Sequence, residues 1–284
     1  MNGENMTENT GIPETAARGQ PPGLLLSGAA LKIIGVILMV PDHLHQMFIN
    51  QGAPFWFNWL GRPVAAIFLF LCSEGFYYTR NKRLYILRFL AAFILMNLVN
   101  GFLTRFLYVE NVALINNIFG TLCMSAFYML MIDLFRKGIR EKKPGRILLA
   151  LCGVLGSLAA GLVLAALFFG KNPPGRVVVT LFFFIPTPLS VEGGFFLTGV
   201  GVLFYALRKY RWAQILLPAA AGLVSFLISR EDWTSNVQWM MFFAALPIFL
   251  YNGKRGRGNK YFFYVFYPAH IYLFYIIAWF LRPG

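Results

Sequence analysis

Charged residues are scarce in this chain of 284 residues, since only 13% of them are Asp, Glu, Lys or Arg. A soluble domain carries about 25% charged residues, so the composition argues against a soluble globular enzyme. Cysteine is scarce as well: the three cysteines lie in apolar runs without a CxxC pair or a Cys/His cluster, which argues against a disulfide framework. Hydrophobic residues make up 58% of the chain and aromatic residues 17%, too many for a disordered chain. The composition predicts a polytopic membrane protein.

Nine apolar segments follow a polar N-terminus. Most of these segments have a length close to the roughly 20 residues that an α-helix needs to cross a membrane. We therefore predict an all-α membrane helix bundle with about nine transmembrane helices (range eight to ten). It forms a single domain over residues 23–284, preceded by a disordered polar tail over residues 1–22. The segments are 24–47, 56–79, 84–104, 112–135, 147–170, 177–207, 212–229, 236–251 and 261–281.

The sixth segment is too long for one simple crossing and contains Pro186 and Pro188. Proline removes a backbone donor and clashes with the preceding turn, so the helix should break near these residues. Ser190 is a suitable cap for a new helix after the break. The pattern predicts either a broken helix or a re-entrant piece joined to a span.

The 25 lysines and arginines are distributed unevenly. Most of them lie in the loops after the second, fourth, sixth and eighth segments. The positive-inside rule then predicts a multi-pass protein of the cytoplasmic (inner) cell membrane, with its N-terminus in the cytoplasm and its C-terminus outside. Because the basic runs lie between apolar segments, the net charge of +14 indicates membrane lipids as partners and no nucleic acid.

The first segment contains the polar residues most typical of catalysis. Lys32 and His43 are eleven residues apart, so they share one helix face about 16 Å apart. Histidine is well suited to proton transfer near neutral pH. The adjacent Asp42 does not face His43 on a helix, so Asp42 is expected to pair with Arg62 of the second segment. The alternative is that Asp42, His43 and His45 are interfacial residues at a helix end.

Other polar residues also lie in apolar segments, where a charge is costly and often functional. For Glu74 and His270, a functional role and structural pairing both stay open, and Glu192 lies at the predicted helix break. No HExxH pattern occurs, so no metal is expected at the histidines. The basic run Lys254, Arg255 and Arg257 suits nucleotide phosphates, and an anionic lipid surface explains it nearly as well.

Four blocks of the sequence form a characteristic set of motifs. They are Leu31-Lys32-Ile33 with Asp42-His43, Gly61-Arg62 with Glu74-Gly75-Phe76, Ser190-Val191-Glu192, and Tyr251-Asn252-Gly253-Lys254-Arg255-Gly256 with Tyr267-Pro268-Ala269-His270. These blocks resemble the TraX-like membrane proteins, a family associated with acetylation of the N-terminus of a pilin. The Lys32-to-His43 spacing also resembles the basic-X10-His pattern of the acyltransferase-3 superfamily, in which arginine is more common than lysine at the first position.

The resemblance implies a membrane acyltransferase that moves an acetyl group from cytoplasmic acetyl-CoA to an amine or hydroxyl at the outer face. The acceptor would be a pilin-like peptide, a surface glycan or a lipid. The implied roles are base or acyl carrier for His43, assisted by Asp42 and Lys32. The CoA phosphates would bind Lys32, Lys254, Arg255 and Arg257, and the channel would be lined by Arg62, Glu74, Glu192, His270 and Asn252.

Two other functions stay open from the sequence. A proton-coupled transporter or flippase would use Glu74, Glu192 and His270 as its buried titratable groups, and it would not require the pairing of Lys32 with His43. A structural partner of a pilus or secretion machine would require neither histidine nor glutamate chemistry.

Overall fold

The computed structural model describes residues 25–170, 174–229, 237–258 and 261–282. Ten α-helices and two 3-10 helices form this part of the chain, and its only strand pairing is an isolated bridge. The predicted disordered tail, residues 1–22, lies outside the described residues. The α-helices are α1 (Gly28–Met47), α2 (Phe57–Tyr78), α3 (Lys82–Phe106), α4 (Ile118–Arg140), α5 (Pro144–Phe168), α6 (Arg176–Phe184), α7 (Gly194–Ala206), α8 (Arg211–Ser229), α9 (Ala245–Phe249) and α10 (Phe262–Phe280).

Seven helices are long and apolar enough to cross a membrane, namely α1 to α5, α8 and α10. The predicted all-α membrane helix bundle is thereby confirmed. The other two of the nine predicted segments consist of shorter pieces. The sixth contains α6 and α7, and the eighth contains the 3-10 helix Val237–Ala244 followed by α9. Within the described residues, the bundle has seven continuous spans and two interrupted segments.

The hydrophobic core joins the first spans of the chain to the last. Its buried residues come from α1 to α4 and α7 to α10, whereas α5 and α6 contribute none to it and pack at the side of α3 and α4. Helix α1 packs against both α2 and α10, and α2 also packs against the 3-10 helix Val237–Ala244. This arrangement places residues from the two ends of the sequence next to each other.

The predicted helix break lies between α6 and α7, in residues 185–193. Ser190 was expected to cap the new helix. It instead closes a turn, because its hydroxyl accepts from the Thr187 N–H at 3.0 Å and lies 3.0 Å from the Ile185 carbonyl. Helix α7 begins after Gly193, whose positive φ of 68° reverses the chain without a side-chain cap. The Asn97 amide donates to the Phe183 carbonyl and binds the end of α6 to α3.

Contacts between the predicted basic loops place them at one end of the bundle, here called the basic end: the Arg208 guanidinium lies 3.8 Å from the centre of the Tyr77 ring, and Arg211 donates to the Tyr251 carbonyl at 3.4 Å. Glu141 forms ion pairs there with Lys137, Lys143 and Arg146, and Lys82 pairs with Asp133. Residues 250–258 form the basic loop, which is bound to the start of α1. The N–H groups of Leu26, Gly28 and Ala29 donate to the carbonyls of Leu250, Lys254 and Arg255 at 3.0, 2.8 and 3.0 Å.

Candidate functional site

The two buried histidines, His43 of α1 and His270 of α10, are hydrogen-bonded to each other. The distance between His43 Nδ1 and His270 Nε2 is 2.6 Å, and the rings stack with centroids 4.9 Å apart. The other nitrogen of His270, Nδ1, lies 2.8 Å from the Phe266 carbonyl oxygen. These two contacts involve three of the four ring nitrogens. The fourth, Nε2 of His43, has no hydrogen bond among the described residues.

The contact of His270 with the Phe266 carbonyl determines which ring nitrogens of the pair carry a hydrogen. A carbonyl oxygen only accepts, so Nδ1 of His270 must donate. For two neutral imidazoles, Nε2 of His270 then carries a lone pair and accepts from Nδ1–H of His43. Nε2 of His43 is therefore the basic nitrogen of the pair. The contacts fix one tautomer, as a general base or a nucleophile requires.

Asp42 and Arg62 form the predicted ion pair between α1 and α2. Arg62 Nη2 lies 3.1 Å from Asp42 Oδ1, and both side chains are partly buried. The guanidinium also donates to the Asn58 carbonyl at 3.2 Å and to Gln238 Oε1 at 3.5 Å. The described hydrogen bonds thus connect Asp42 to Arg62, whereas the neighbour that holds His43 is His270.

Glu192 reaches the same place from the broken helix. Its carboxylate accepts from the Asn117 N–H at 2.8 Å, and its carbonyl accepts from the Thr121 hydroxyl at 2.5 Å. The side chain is exposed because it lines an open cavity of about 80 Å³, here called the His43 cavity. Its polar lining consists of Asp42, His43, Arg62, Glu192, Gln238 and Tyr267.

Lys32 lines a second cavity of about 170 Å³ on the basic side of the His43 cavity, here called the Lys32 cavity. Arg88 and the aromatic residues Tyr85, Tyr261 and Tyr264 also line it. The Arg255 carbonyl of the basic loop accepts from the Ala29 N–H at 3.0 Å, about one turn before Lys32 on α1. This cavity therefore combines cations with aromatic rings at the end of α1 opposite His43.

The remaining predicted site residues lie at the basic end. Lys254, Arg255 and Arg257 are exposed on the basic loop. Asn252 stabilises this loop, because its Oδ1 accepts from the Lys254 N–H at 2.9 Å and its N–H donates to the Leu26 carbonyl at 2.9 Å. A role in loop structure therefore accounts for its described contacts.

Glu74, for which the resemblance implies a channel-lining role, lies near the basic loop. Its Oε2 accepts from the Tyr251 hydroxyl at 3.4 Å. Burial and the nearby Glu74 charge raise the pKa of Tyr251, which keeps this phenol protonated as a donor. Glu74 lies one turn before the C-terminal end of α2, so it is at the end of this helix that contacts the basic loop.

Several residues of the two cavities were not predicted. The sequence pattern did not single out Arg88, and it contained Tyr267 only as part of a motif. Gly61 has a steric role: a Cβ at this position would lie 2.2 Å from Asp42 Cγ, so only glycine lets the carboxylate approach α2. The Gly61-Arg62 pair in the sequence was the available signal. Among the described residues, no group of three or more His, Cys, Asp or Glu could hold a metal ion.

The TraX protein family description matches residues 27–278, which include both cavities and the histidine pair. The chain belongs to the TraX family. A relative named probable fimbrial assembly protein FimC, serogroup H1, from Dichelobacter nodosus is 26% identical over 262 residues, covering 87% of this chain and 93% of the relative. No solved structure matches the chain.

We expect Gly61→Ala to disrupt the site of this TraX-family protein, because the added methyl group would overlap the Asp42 carboxylate. Overpacking of this kind costs about 1–3 kcal/mol, so the midpoint of thermal unfolding in detergent should fall. Gly156→Ala is the matched control, since no atom lies within 4 Å of its added Cβ. Equal midpoints for wild type and Gly61→Ala would contradict the close approach of Asp42 to α2.

Proposed function

We propose that this TraX-family protein is a membrane acyltransferase that moves an acetyl group from acetyl-CoA to an acceptor at the other side of the membrane. The observation that carries the proposal is the histidine pair. It leaves Nε2 of His43 as a basic nitrogen, and His43 lines a small polar cavity. The basic end faces the cytoplasm in this proposal, and the His43 cavity opens outwards.

The donor is proposed to bind at the Lys32 cavity. Phosphate groups are bound well by lysine and arginine side chains, and Lys32 and Arg88 line this cavity beside the basic loop. The pantetheine arm of the donor would extend from Lys32 along α1 and bring the thioester to His43. Three helical turns correspond to a distance of about 16 Å. A long and thin pantetheine arm suits such a path.

Two chemical routes are compatible with a basic Nε2 at His43. In the first, the acceptor amine or hydroxyl attacks the thioester carbonyl while Nε2 removes its proton. The C–S bond breaks, and the CoA thiolate takes that proton from His43. In the second, Nε2 itself attacks the carbonyl and expels the thiolate; the acceptor then takes the acetyl group and its proton goes to the thiolate. Both routes end with acetylated acceptor and CoA thiol.

The acceptor is proposed to enter the His43 cavity from the side opposite the basic end. No lysine or arginine of the described part of the chain forms an ion pair with Glu192. Its carboxylate is thus positioned to hold an amine or hydroxyl next to His43. The name of the relative from Dichelobacter nodosus supports a pilin-like peptide as the acceptor, with a surface glycan or a lipid as alternatives.

Acetyl-CoA should stabilise the detergent-purified protein against thermal unfolding, because a ligand that binds only the folded state adds about 2.7 kcal/mol at a hundredfold excess over its dissociation constant. We expect Lys32→Ala to lose this stabilisation. Lys209→Ala is the control, since Lys209 is a loop cation outside the Lys32 cavity. If acetyl-CoA does not shift the unfolding of a folded wild-type protein, the donor assignment is wrong.

The transporter hypothesis relies on Glu74, Glu192 and His270. Glu74 accepts from Tyr251 at the basic end, Glu192 lines the His43 cavity, and His270 is hydrogen-bonded to His43. A proton relay through all three would therefore have to cross the space between the two cavities. Proton-coupled uptake that Glu74→Gln abolishes, without acetyl-CoA binding, would favour this second function.

A further inference from the structure

Two phenylalanines separate the Lys32 cavity from the His43 cavity. Phe68 of α2 and Phe263 of α10 line both cavities, and they are the two residues that the linings share. Their rings stack with centroids 4.2 Å apart and an angle of 27° between planes. The two side chains are only 5% and 6% exposed, so the ring pair fills the space between the cavities.

The two rings are held in different ways. Phe68 lies in the middle of α2 and packs against Gly35 of α1, where an added Cβ would come within 2.8 Å of the Phe68 ring. Phe263 lies in the first turn of α10 and stacks on Tyr267 at 5.5 Å. The first turn of α10 has no side-chain cap, and first turns are the most easily frayed part of a helix. We therefore expect Phe263 to be the ring that moves, which would also separate it from Phe119, whose ring it meets edge-on at 5.6 Å between centroids.

We propose that Phe68 and Phe263 form a gate between the donor and acceptor sides of the site. This inference rests on the proposed function, because the thioester can reach His43 from the Lys32 cavity only if the rings part. The stacking of one aromatic pair is a modest interaction beyond the area that it buries, so a bound donor can part the rings. In the closed state, the rings prevent a continuous aqueous path through the protein.

The gate has a direct consequence for small molecules that enter from the side of the His43 cavity. With the rings stacked, a charged thiol reagent from that side should not reach the Lys32 cavity. Leu71 of α2 lines the Lys32 cavity and is half-buried, so Leu71→Cys is a suitable reporter. Replacing Cys72, Cys123 and Cys152 with alanine removes the native thiols.

The test is labelling of Leu71→Cys in oriented membrane vesicles with a membrane-impermeant thiol reagent added from either side. We expect wild-type rings to restrict labelling to the basic side. Phe263→Ala should raise the rate from the opposite side by about tenfold, the change that ~1.4 kcal/mol of lost ring contact gives. Phe263→Leu, a milder change in case the alanine variant unfolds, should raise it less.

Phe262→Ala is the matched control, because Phe262 is the neighbouring residue on α10, is exposed, and does not line either cavity. It should label like the wild type. Labelling of the wild type at equal rates from both sides, or no increase in a folded Phe263→Leu or Phe263→Ala variant, would overturn the gate. The readout needs no acetyl-CoA, so a failure of the gate is distinguishable from a failure of the proposed acyl transfer.

Discussion

Replacing His43 with glutamine should lower acyl transfer by about 10²–10⁴-fold, the usual contribution of a positioned general base. Glutamine keeps a similar size and polarity but has no basic nitrogen. The loss should appear in the rate of transfer to the acceptor, whereas acetyl-CoA binding should be retained, because the Lys32 cavity does not include His43. A reconstituted assay with labelled acetyl-CoA measures both quantities, and wild-type transfer by His43→Gln would refute the catalytic assignment.

His270 should act through His43 as a positioning residue. His270→Phe keeps the ring but removes the acceptor for His43 Nδ1–H, so we expect His43 to lose its single tautomer. In ¹⁵N spectra of histidine-labelled protein, the wild type should show Nδ1 of His43 protonated and Nε2 unprotonated. His270→Phe should give a mixture of the two tautomers and a slower transfer rate, with acetyl-CoA binding unchanged.

The matched variant is His45→Phe. His45 Nδ1 lies 3.1 Å from the Ala53 carbonyl, outside the His43 cavity. This variant should leave the tautomer of His43 and the transfer rate unchanged. If His270→Phe transfers acetyl groups as fast as His45→Phe does, the hydrogen bond from His43 to His270 is structural and not functional.

A large loss of stability is expected when the ion pair between Asp42 of α1 and Arg62 of α2 loses one partner. Removing one partner of a buried pair costs about 3–5 kcal/mol because the other charge is left uncompensated. Arg62 and Asp42 are 29% and 19% exposed, so we expect Arg62→Met to cost about 3 kcal/mol, near the low end of that range. The unfolding midpoint in detergent should fall clearly.

The double variant Arg62→Met/Asp42→Asn separates charge from packing. Because it leaves no unpaired charge, it should recover most of the stability that Arg62→Met alone loses. Lys137→Met is the matched control: Lys137 pairs with Glu141 at 3.7 Å on an exposed helix face, where ion pairs contribute little. A double variant that is no more stable than Arg62→Met would show that the guanidinium acts by packing and hydrogen bonds alone.

Periodicity and composition predicted much of the bundle and part of the site. Apolar length located the helices, proline located the break after α6, and the cost of a charge in the membrane predicted the pairing of Asp42 with Arg62. These features follow from local spacing or from the rule that a buried charge needs a partner. Each requires knowledge of one or two segments only.

Tertiary packing decided what the sequence could not predict. His43 and His270 are 227 positions apart, and their contact depends on α1 packing against α10. The contact of Glu74 with Tyr251 could not be predicted either, because apolar length alone does not show which way a side chain faces in a bundle. The steric role of Gly61 likewise depends on how closely α1 approaches α2.

The contact between His43 and His270 also has a consequence for biogenesis. During synthesis the chain enters the membrane from its N-terminus, so α1 is inserted long before α10, the last helix that the structure describes. His43 has no ring partner until α10 packs beside it, because its ring contacts are with His270 and Tyr267 of that helix. A chain interrupted before α10 therefore contains Lys32, His43 and the Asp42–Arg62 pair without the histidine pair, so the single tautomer of His43 is set only when α10 is in place.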